Sequence, residues 1–353
     1  MKKIQFWTLQ ILLVLSIIFI GTKVSFIFQP IAVFVSTLFF PILIAGFLFF
    51  ILNPVVQLLV RQKIPKPVAI AFIYLMVIAI FVIFGATLGS QISNQIASLI
   101  SDTPRMVEEF SESSFAKWLA SQDFFSWADI EAKLTANVEQ FSKNLFSGLS
   151  GVFSFVISMA LLIVTVPFVL FYMLKDGEKL PDNIVRFVPS KFRDEARTIL
   201  KETGNTLADY IQGQFVVCMF VGIACTVGYL IIGLKFALLF GILIGLLNIV
   251  PYAGPWIGAA PAVIVGFIES PMQAVFVAIV IIVVQLIDGN VISPQVIGNK
   301  LAVHPLTIVV ILLVAGNLAG ILGMILAVPT YAIGRLLVKN FYRIWKLRTT
   351  VID

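Results

Sequence analysis

Long apolar segments, separated by short basic loops and two polar insertions, set the pattern of this chain. Five apolar segments come first, at 9–28, 31–59, 67–90, 152–175 and 209–233, and three follow at 236–268, 273–287 and 305–338. About 20 apolar residues in a helix cross the hydrocarbon core of a bilayer, and helices satisfy their own backbone hydrogen bonds in lipid. The pattern predicts an all-α, polytopic membrane protein with about eight transmembrane helices.

The C-terminal half differs because Pro, Gly and Asn interrupt its apolar segments. Asn248, Pro251, Gly254 and Pro255 break the segment 236–268, while a second group breaks 305–338: Gly316, Asn317, Gly320 and Gly323. In lipid a broken helix survives only where protein or a water-filled cavity satisfies its freed backbone groups, and in transporters such breaks form binding sites. We therefore predict broken or re-entrant helices in this half. The pattern leaves open whether 236–300 and 305–338 cross the membrane or fold back as hairpins.

Charged loops predict the topology and the domain organisation. Lys2 and Lys3, the loop Arg61–Lys66 and the basic tail are each expected on the cytoplasmic side. If both termini lie in the cytoplasm, the number of membrane crossings must be even. Eight crossings satisfy this condition if 236–268 counts as one broken helix. The predicted parts are N-terminal transmembrane helices (1–90), an extracytoplasmic helical insertion (91–150), a transmembrane helix (151–175), a cytoplasmic insertion (176–208), a transport core (209–338) and a basic cytoplasmic tail (339–353).

Both insertions contain helical patterns. Apolar residues at steps of three and four predict an amphipathic helix over 128–147. In the second insertion Ser190 is a good N-cap, so we expect a helix from there toward Leu207. A lid or docking site and a packed helical spacer are both compatible with the first pattern.

Composition excludes several function classes. Of the 353 residues 60% are hydrophobic and 12% charged, about half the charged share of soluble domains. The net charge of +6 lies in short loops and tails beside apolar runs, which argues against nucleic-acid binding. The chain has no GxxxxGK[ST], HExxH or GxSxG pattern, and its one histidine cannot build a His-rich metal site. We expect no enzyme activity, no cofactor and no bound metal.

Polar residues near the helix breaks are the candidate site. Asp288 follows fifteen residues in which only Gln273 and Gln285 are polar, and a carboxylate at depth is costly unless it faces protein, water or a partner. Asp288 could bind a cation, carry a proton or orient a solute; alternatively it caps the turn Asp288–Asn290. Gln285 could share its face. The full candidate set is Asn248, Pro251, Gly254, Pro255, Gln285, Asp288, Asn290, Pro294, Gly316, Asn317 and Gly320.

Three groups of residues carry a family resemblance. They are Phe171–Gly177, Asn248–Pro255 and Gln285–Pro294, followed by single positions in the last segment: Gly298, His304, Pro305, Leu306, Gly316, Gly320, Gly323 and Pro329. In this order they resemble the autoinducer-2 exporter family of bacterial permeases. The resemblance implies a multi-pass transporter of the bacterial plasma or inner membrane that forms homo-oligomers. It further implies export of a small signalling molecule used in quorum sensing, or, as in other members, sodium or lithium/proton antiport.

The function that we predict is export of a small polar solute, such as autoinducer-2, by a secondary transporter or facilitator embedded in the lipid bilayer. A cation/proton antiporter using Asp288, with Glu269 or Asp209, is the first alternative. A membrane scaffold that recruits partners through its insertions is the second. The absence of a dense cluster of intramembrane carboxylates argues mildly against the antiporter.

Overall fold

The structure, a computed structural model, describes residues 25–120, 160–298 and 304–349, together with 6–10, 12, 13, 16 and 140. These residues are almost entirely helical and include no strand, which confirms the all-α prediction. Four helices in the described part are long and apolar enough to cross a membrane: Thr37–Arg61, Lys66–Ser111, Ser190–Ile231 and Pro271–Val296. Shorter apolar helices accompany them. The predicted amphipathic helix at 128–147 and the first apolar segment, 9–28, lie largely outside the described residues.

Three helices form the N-terminal bundle. Helix α1 is Ser25–Arg61, α2 is Lys66–Ser111, and α4, after the short α3 (Ser114–Ala120), is Ala160–Asp176. Side chains from α1, α2 and α4 share one apolar core: Ala45, Val56, Ala69, Ile70, Ile73, Leu170 and Leu174. The loop Arg61–Lys66 joins α1 to α2 and marks what we term the basic end of the molecule. There Glu178, just after α4, pairs with Lys66 at 3.3 Å and accepts a hydrogen bond from Gln57.

A single long helix connects the second polar insertion to the membrane region. After α5 (Leu180–Val185) and a 3-10 turn at Ser190–Phe192, α6 runs from Arg193 to Ile231. The predicted N-cap at Ser190 is wrong, because Phe192 occupies the cap position of α6 and no side chain caps it. The expected helix toward Leu207 is nevertheless present: its path begins at Ser190 as the 3-10 turn that follows Pro189.

The segment 236–268 forms a helical hairpin. Helix α7 is Ala237–Leu247 and α8 is Ala253–Glu269, and the two lie side by side. A Cβ on Gly258 would stand 2.7 Å from the Cα of Ile244, so the backbones nearly touch. Helix α7 also packs closely against α6, where Gly222 faces Gly245 and Thr226 faces Gly241. The segment is therefore a fold-back hairpin, and the option of one broken crossing is not the one that the structure adopts.

Helix α9, Pro271–Ile287, returns beside α6 in the antiparallel direction. Ser270 caps it by accepting a hydrogen bond from the backbone N–H of Gln273 at 3.1 Å. Gly228 of α6 faces Val280 near one end of this pair, and Gly213 faces Ile297 near the other. The helical path continues as a π-helix, Asp288–Ile292, and as α10, Ser293–Val296. The alternative of a turn capped by Asp288 is therefore wrong, since the chain stays helical past Gly289 and Pro294.

The last helix, α11 (Pro305–Thr349), folds back on itself at Gly320, where φ is +59°. A Cβ on Gly316 would lie 3.2 Å from Cγ of Met324, although eight residues of straight helix span about 12 Å. Leu312 and Ala327 likewise belong to one core cluster around Val250. Both interrupted segments thus fold back as hairpins.

Candidate functional site

A cavity of about 1010 Å³ lies between α6, α8 and α9. Helices α8 and α9 meet near the Ser270 turn, where a Cβ on Gly266 would stand 3.4 Å from the Cα of Ala274. The cavity is the space between α8 and α9 from that turn toward the basic end. The turn before α8 and two residues of α11 form the rest of its wall. The residues that line the cavity include Tyr210, Gln214, Asn248, Pro251, Tyr252, Pro255, Trp256, Ala260, Val263, Ala278, Ile281, Ile282, Gln285, Leu286, Asp288, Ser293, Ile308 and Val328.

Polar side chains gather at the part of the cavity nearest the basic end. We term this group the polar end: Tyr210, Gln214, Asn248, Gln285 and Asp288. The Tyr210 hydroxyl and the Gln285 amide nitrogen are buried, and neither has a hydrogen-bond partner in the described structure. Tyr210 is only 7% exposed. An unpaired buried polar group costs about 1–3 kcal/mol, so these two groups lower the stability of the described structure unless they find a partner.

Gln214 connects the polar end to the tip of the α7–α8 hairpin. Its amide nitrogen donates to the backbone carbonyl of Asn248 at 2.7 Å, and both residues are buried. Asn248 ends α7 as its C-cap. A polar contact made at Gln214 is therefore one hydrogen bond away from the backbone of the hairpin tip.

Asp288 supplies a carboxylate to the polar end. It is half-buried and accepts a hydrogen bond from the Ser293 hydroxyl at 2.8 Å. It begins the π-helix, an element that often marks functional sites because it disturbs the regular hydrogen-bond ladder. Of the described residues that line the cavity, Asp288 is the one acid and none is basic.

The hairpin tip, Asn248–Tyr252, has a strained backbone at Tyr252. Tyr252 has φ +62° and ψ −53°, a conformation that non-glycine residues rarely adopt. Gly254 has no such angle. It is needed for space, because a Cβ there would overlap the carbonyl of Leu247 and stand 3.0 Å from the Cα of Asn248. The carbonyl of Pro251 accepts a hydrogen bond from Ala253 at 2.7 Å.

The structure brings together some of the candidate residues and separates others. Those that line the cavity are Asn248, Pro251, Pro255, Gln285 and Asp288. Gly254 is buried behind the hairpin tip, whereas Asn290 and Pro294 are exposed and do not line the cavity. Asn290 donates to the carbonyl of Leu286 at 2.8 Å.

The candidates of α11 lie at its fold and away from the cavity. Gly316 packs against Met324, Gly320 supplies the positive φ, and the Asn317 amide donates to the carbonyl of Leu313 at 3.1 Å. Ile308 and Val328 of the same helix reach the cavity instead. Sequence reasoning missed Tyr210, Gln214 and Trp256. Gln214 carried a signal, as an amide inside the apolar segment 209–233.

The carboxylates proposed to assist Asp288 do not line its cavity. Glu269 lies at the end opposite the basic end, where it accepts a hydrogen bond from the backbone N–H of Lys235 at 3.3 Å. It lines a separate cavity of about 320 Å³. Asp209 lines neither cavity. Within the described ranges, no group of three or more His, Cys, Asp or Glu side chains could hold a metal ion.

Comparisons with known proteins agree on one family. A family model described as AI-2E family transporter matches residues 11–343. The chain is 50% identical to YueF of Bacillus subtilis (strain 168) over 98% of its length and 96% of that protein. It is 30% identical to YrrI of the same organism, over 96% of each chain. It is 27% identical to YhhT of Escherichia coli (strain K12), over 82% of this chain and 80% of that one. All three relatives are named as transport proteins.

Proposed function

The chain belongs to the AI-2E transporter family, and from that premise we propose that it exports a small polar solute through the cavity between α6, α8 and α9. The observation that carries the proposal is that the cavity is lined by Tyr210 and Gln285, each of which has a buried polar atom without a hydrogen-bond partner in the described structure. A site that leaves such groups unpaired gains free energy when a ligand's own polar groups pair with them. That gain favours a ligand that carries hydroxyl or carbonyl groups.

The polar end favours a solute rich in hydroxyl groups. Its described groups are amides, a phenol and one carboxylate, and none is basic. Amide and phenol groups both donate and accept, which matches hydroxyls. Export of autoinducer-2 is the specific form of the proposal that the family name favours.

The cellular setting forms part of the same proposal. We place the protein in the bacterial plasma or inner membrane as a homo-oligomer, with its basic end in the cytoplasm. The positive residues of the loop Arg61–Lys66 support that orientation. Export then begins with solute binding at the polar end, which is the part of the cavity nearest the basic end of the molecule.

A flux measurement tests the proposal. Purified protein in proteoliposomes should move labelled autoinducer-2 or another polyol, and Gln285→Leu should raise the KM about tenfold by removing one hydrogen bond to the solute. Gln295→Leu, an exposed site outside the cavity on α10, is the matched control and should leave KM unchanged. Equal flux in both variants would remove Gln285 from the site. No flux of any small polar solute in the unaltered protein would reject the proposed function.

Antiport of sodium or lithium against protons is the second candidate, because Asp288 lines the cavity in a π-helix. An antiporter that relies on this carboxylate should lose the pH dependence of its flux in Asp288→Asn. The export proposal expects lower solute flux in this variant with an unchanged pH profile. Flux measured under imposed proton gradients separates the two.

A further inference from the structure

Most of the cavity wall is apolar, and its polar groups are confined to one part. Beyond the polar end, α8 contributes Ala260 and Val263, while α9 contributes Ala278, Ile281 and Ile282. Ala278 and Gln285 are seven residues apart on α9, so this apolar stretch extends about 10 Å from the polar end. A solute composed only of polar groups would leave that stretch without a complementary surface.

Small side chains create the apolar stretch. Alanines face the space from both helices, Ala260 from α8 and Ala278 from α9, while Gly266 holds the helices together nearer the Ser270 turn. The space is therefore a narrow cleft that is closed at the turn and that widens toward the polar end. We term it the α8–α9 cleft.

Exposed apolar side chains form the rims of this cleft. Trp256 on the α8 side is 79% exposed, and Ile282 and Leu286 on the α9 side are each 57% exposed. On a helix long and apolar enough to cross a membrane, such as Pro271–Val296, such side chains are the ones that face acyl chains. The cleft is thus open sideways toward lipid.

The charge of the polar end limits the head group that it accepts. Asp288 is the one charged residue among the described lining residues, and no described lysine, arginine or histidine lines the cavity. A buried anion without a positive partner is strongly disfavoured. Phosphate, sulfate and carboxylate heads are therefore excluded, and uncharged or cationic heads remain.

We infer that the cavity binds a single-chain amphiphile with an uncharged or cationic head, its head at the polar end and its alkyl chain in the α8–α9 cleft. The inference rests on the proposed function, since it uses the same polar end as the binding site. It adds a second recognition element, the cleft. An extended chain advances about 1.3 Å per carbon, so the cleft accommodates about eight carbons.

Equilibrium binding of alkyl probes tests this inference. The unaltered protein in lipid nanodiscs is titrated with n-alkyltrimethylammonium ions of 4 to 12 carbons, and protein-free nanodiscs correct for partitioning into lipid. Affinity should rise about fourfold per methylene and level off near eight carbons. Octyl glucoside should also bind. Octyl sulfate should bind at least tenfold more weakly than octyltrimethylammonium.

Protein variants test where the alkyl chain of the probe binds. Ala278→Trp fills the cleft and should lower the affinity for the octyl probe at least tenfold, with levelling at a shorter chain. Ile279→Trp adds the same side chain on the exposed face of α9, outside the cavity, and should behave as the unaltered protein. Ala260→Leu fills less space and should give an intermediate loss, which keeps the test valid if Ala278→Trp fails to assemble.

The outcomes separate this inference from the function it rests on. Chain-length dependence that is the same in Ala278→Trp and Ile279→Trp would overturn the amphiphile inference, as would equal binding of octyl sulfate and octyltrimethylammonium. Polar-solute flux that remains sensitive to Gln285→Leu would leave the proposed function standing in that case.

Discussion

At the scale of single residues, the polar side chains that line the cavity are of two kinds: some have a hydrogen-bond partner within the protein, and others retain an unpaired atom. Gln214 has the backbone of Asn248 as its partner, and Asp288 has the Ser293 hydroxyl. Tyr210 and Gln285 each retain a buried atom without a partner in the described structure. Residues of the first kind hold the hairpin tip and the π-helix in place. In the proposed function those of the second kind bind the solute, so the two kinds should respond differently to substitution.

Tyr210→Phe separates binding from stability. The hydroxyl that it removes has no described partner, so we expect an unchanged or slightly higher thermal midpoint, together with solute flux reduced about three- to tenfold through KM. Gln214→Leu is the contrasting variant. It leaves the Asn248 carbonyl buried and unpaired, which should lower stability by about 1–3 kcal/mol. A Tyr210→Phe protein with unaltered flux would show that the hydroxyl does not contact solute.

At the scale of elements, glycine allows the helices of the C-terminal half to lie backbone to backbone. Gly222 and Gly245 bring α6 against α7, and Gly258 brings α8 against α7. A small-residue contact of this kind replaces the hydrophobic driving force, which is absent between helices in lipid. The α7–α8 hairpin therefore contacts α6 along α7, and the cavity lies between α8 and α9 on the side away from the Ser270 turn.

Gly254→Val should disrupt the hairpin tip. The valine side chain has no room beside the Leu247 carbonyl, and overpacking of this kind costs about 1–3 kcal/mol in stability. We expect the variant to be expressed and inserted, with strongly impaired transport, because the tip carries Asn248 and Pro251 of the cavity wall. Gly204→Val on α6, where the described structure has nothing within 4 Å of an added Cβ, is the control. If Gly254→Val transports solute at the wild-type rate, the hairpin tip is not part of the transport site.

The fold of α11 at Gly320 predicts a specific cross-link. In a background without Cys218 and Cys225, Gly316→Cys with Met324→Cys should form a disulfide on mild oxidation, because the two positions face each other across the fold. Val309→Cys with Asn317→Cys, also eight residues apart but both before the fold, should not, since a straight helix separates them by about 12 Å. Equal cross-linking of both pairs, or of neither, would contradict the hairpin. Mobility on a non-reducing gel gives the readout.

At the scale of the whole molecule, two apolar cores lie beside one another along the membrane region. One joins α1, α2 and α4. The other joins the far part of α2 to α6, α7, α8 and α9 and contains Ile96, Phe110, Val221, Phe240 and Val265. The second core also contains residues of the α7–α8 hairpin and of the cavity wall, whereas the α11 hairpin contributes Leu312 and Ala327 to the smaller cluster around Val250. The N-terminal bundle meets the helices of the second core through α2 and through the Gln212 amide, which donates to the carbonyl of Phe50 at 2.9 Å.

Accessibility labelling checks the predicted sidedness. Lys63→Cys in the loop of the basic end and Lys117→Cys in α3 place one reporter near each end of α2. We expect an impermeant maleimide to label Lys117→Cys in intact cells and Lys63→Cys only after permeabilisation, because basic loops stay in the cytoplasm. The reverse result would invert the topology and turn the proposed export into uptake.

Hydrophobic pattern alone determined the class of this protein and the location of its unusual half. Runs of apolar residues require helices in lipid, and Pro, Gly and Asn at 248–255 and 316–323 locate the interruptions. Gln285 and Asp288 stand out in the same way, as polar residues in or beside an apolar run. Each of these signals is local, so one segment read by itself is enough to reveal it.

Only the tertiary structure decided what the interruptions do. An interrupted segment shows the same sequence pattern whether it crosses the bilayer or folds back, because the two arrangements differ only in which helix the segment packs against. The contacts of Gly258 with Ile244 and of Gly316 with Met324 settle it in favour of hairpins. The cavity likewise combines residues up to 118 positions apart, Tyr210 and Val328. Which polar atoms remain unpaired depends on that assembly, and no periodicity within a single helix encodes it.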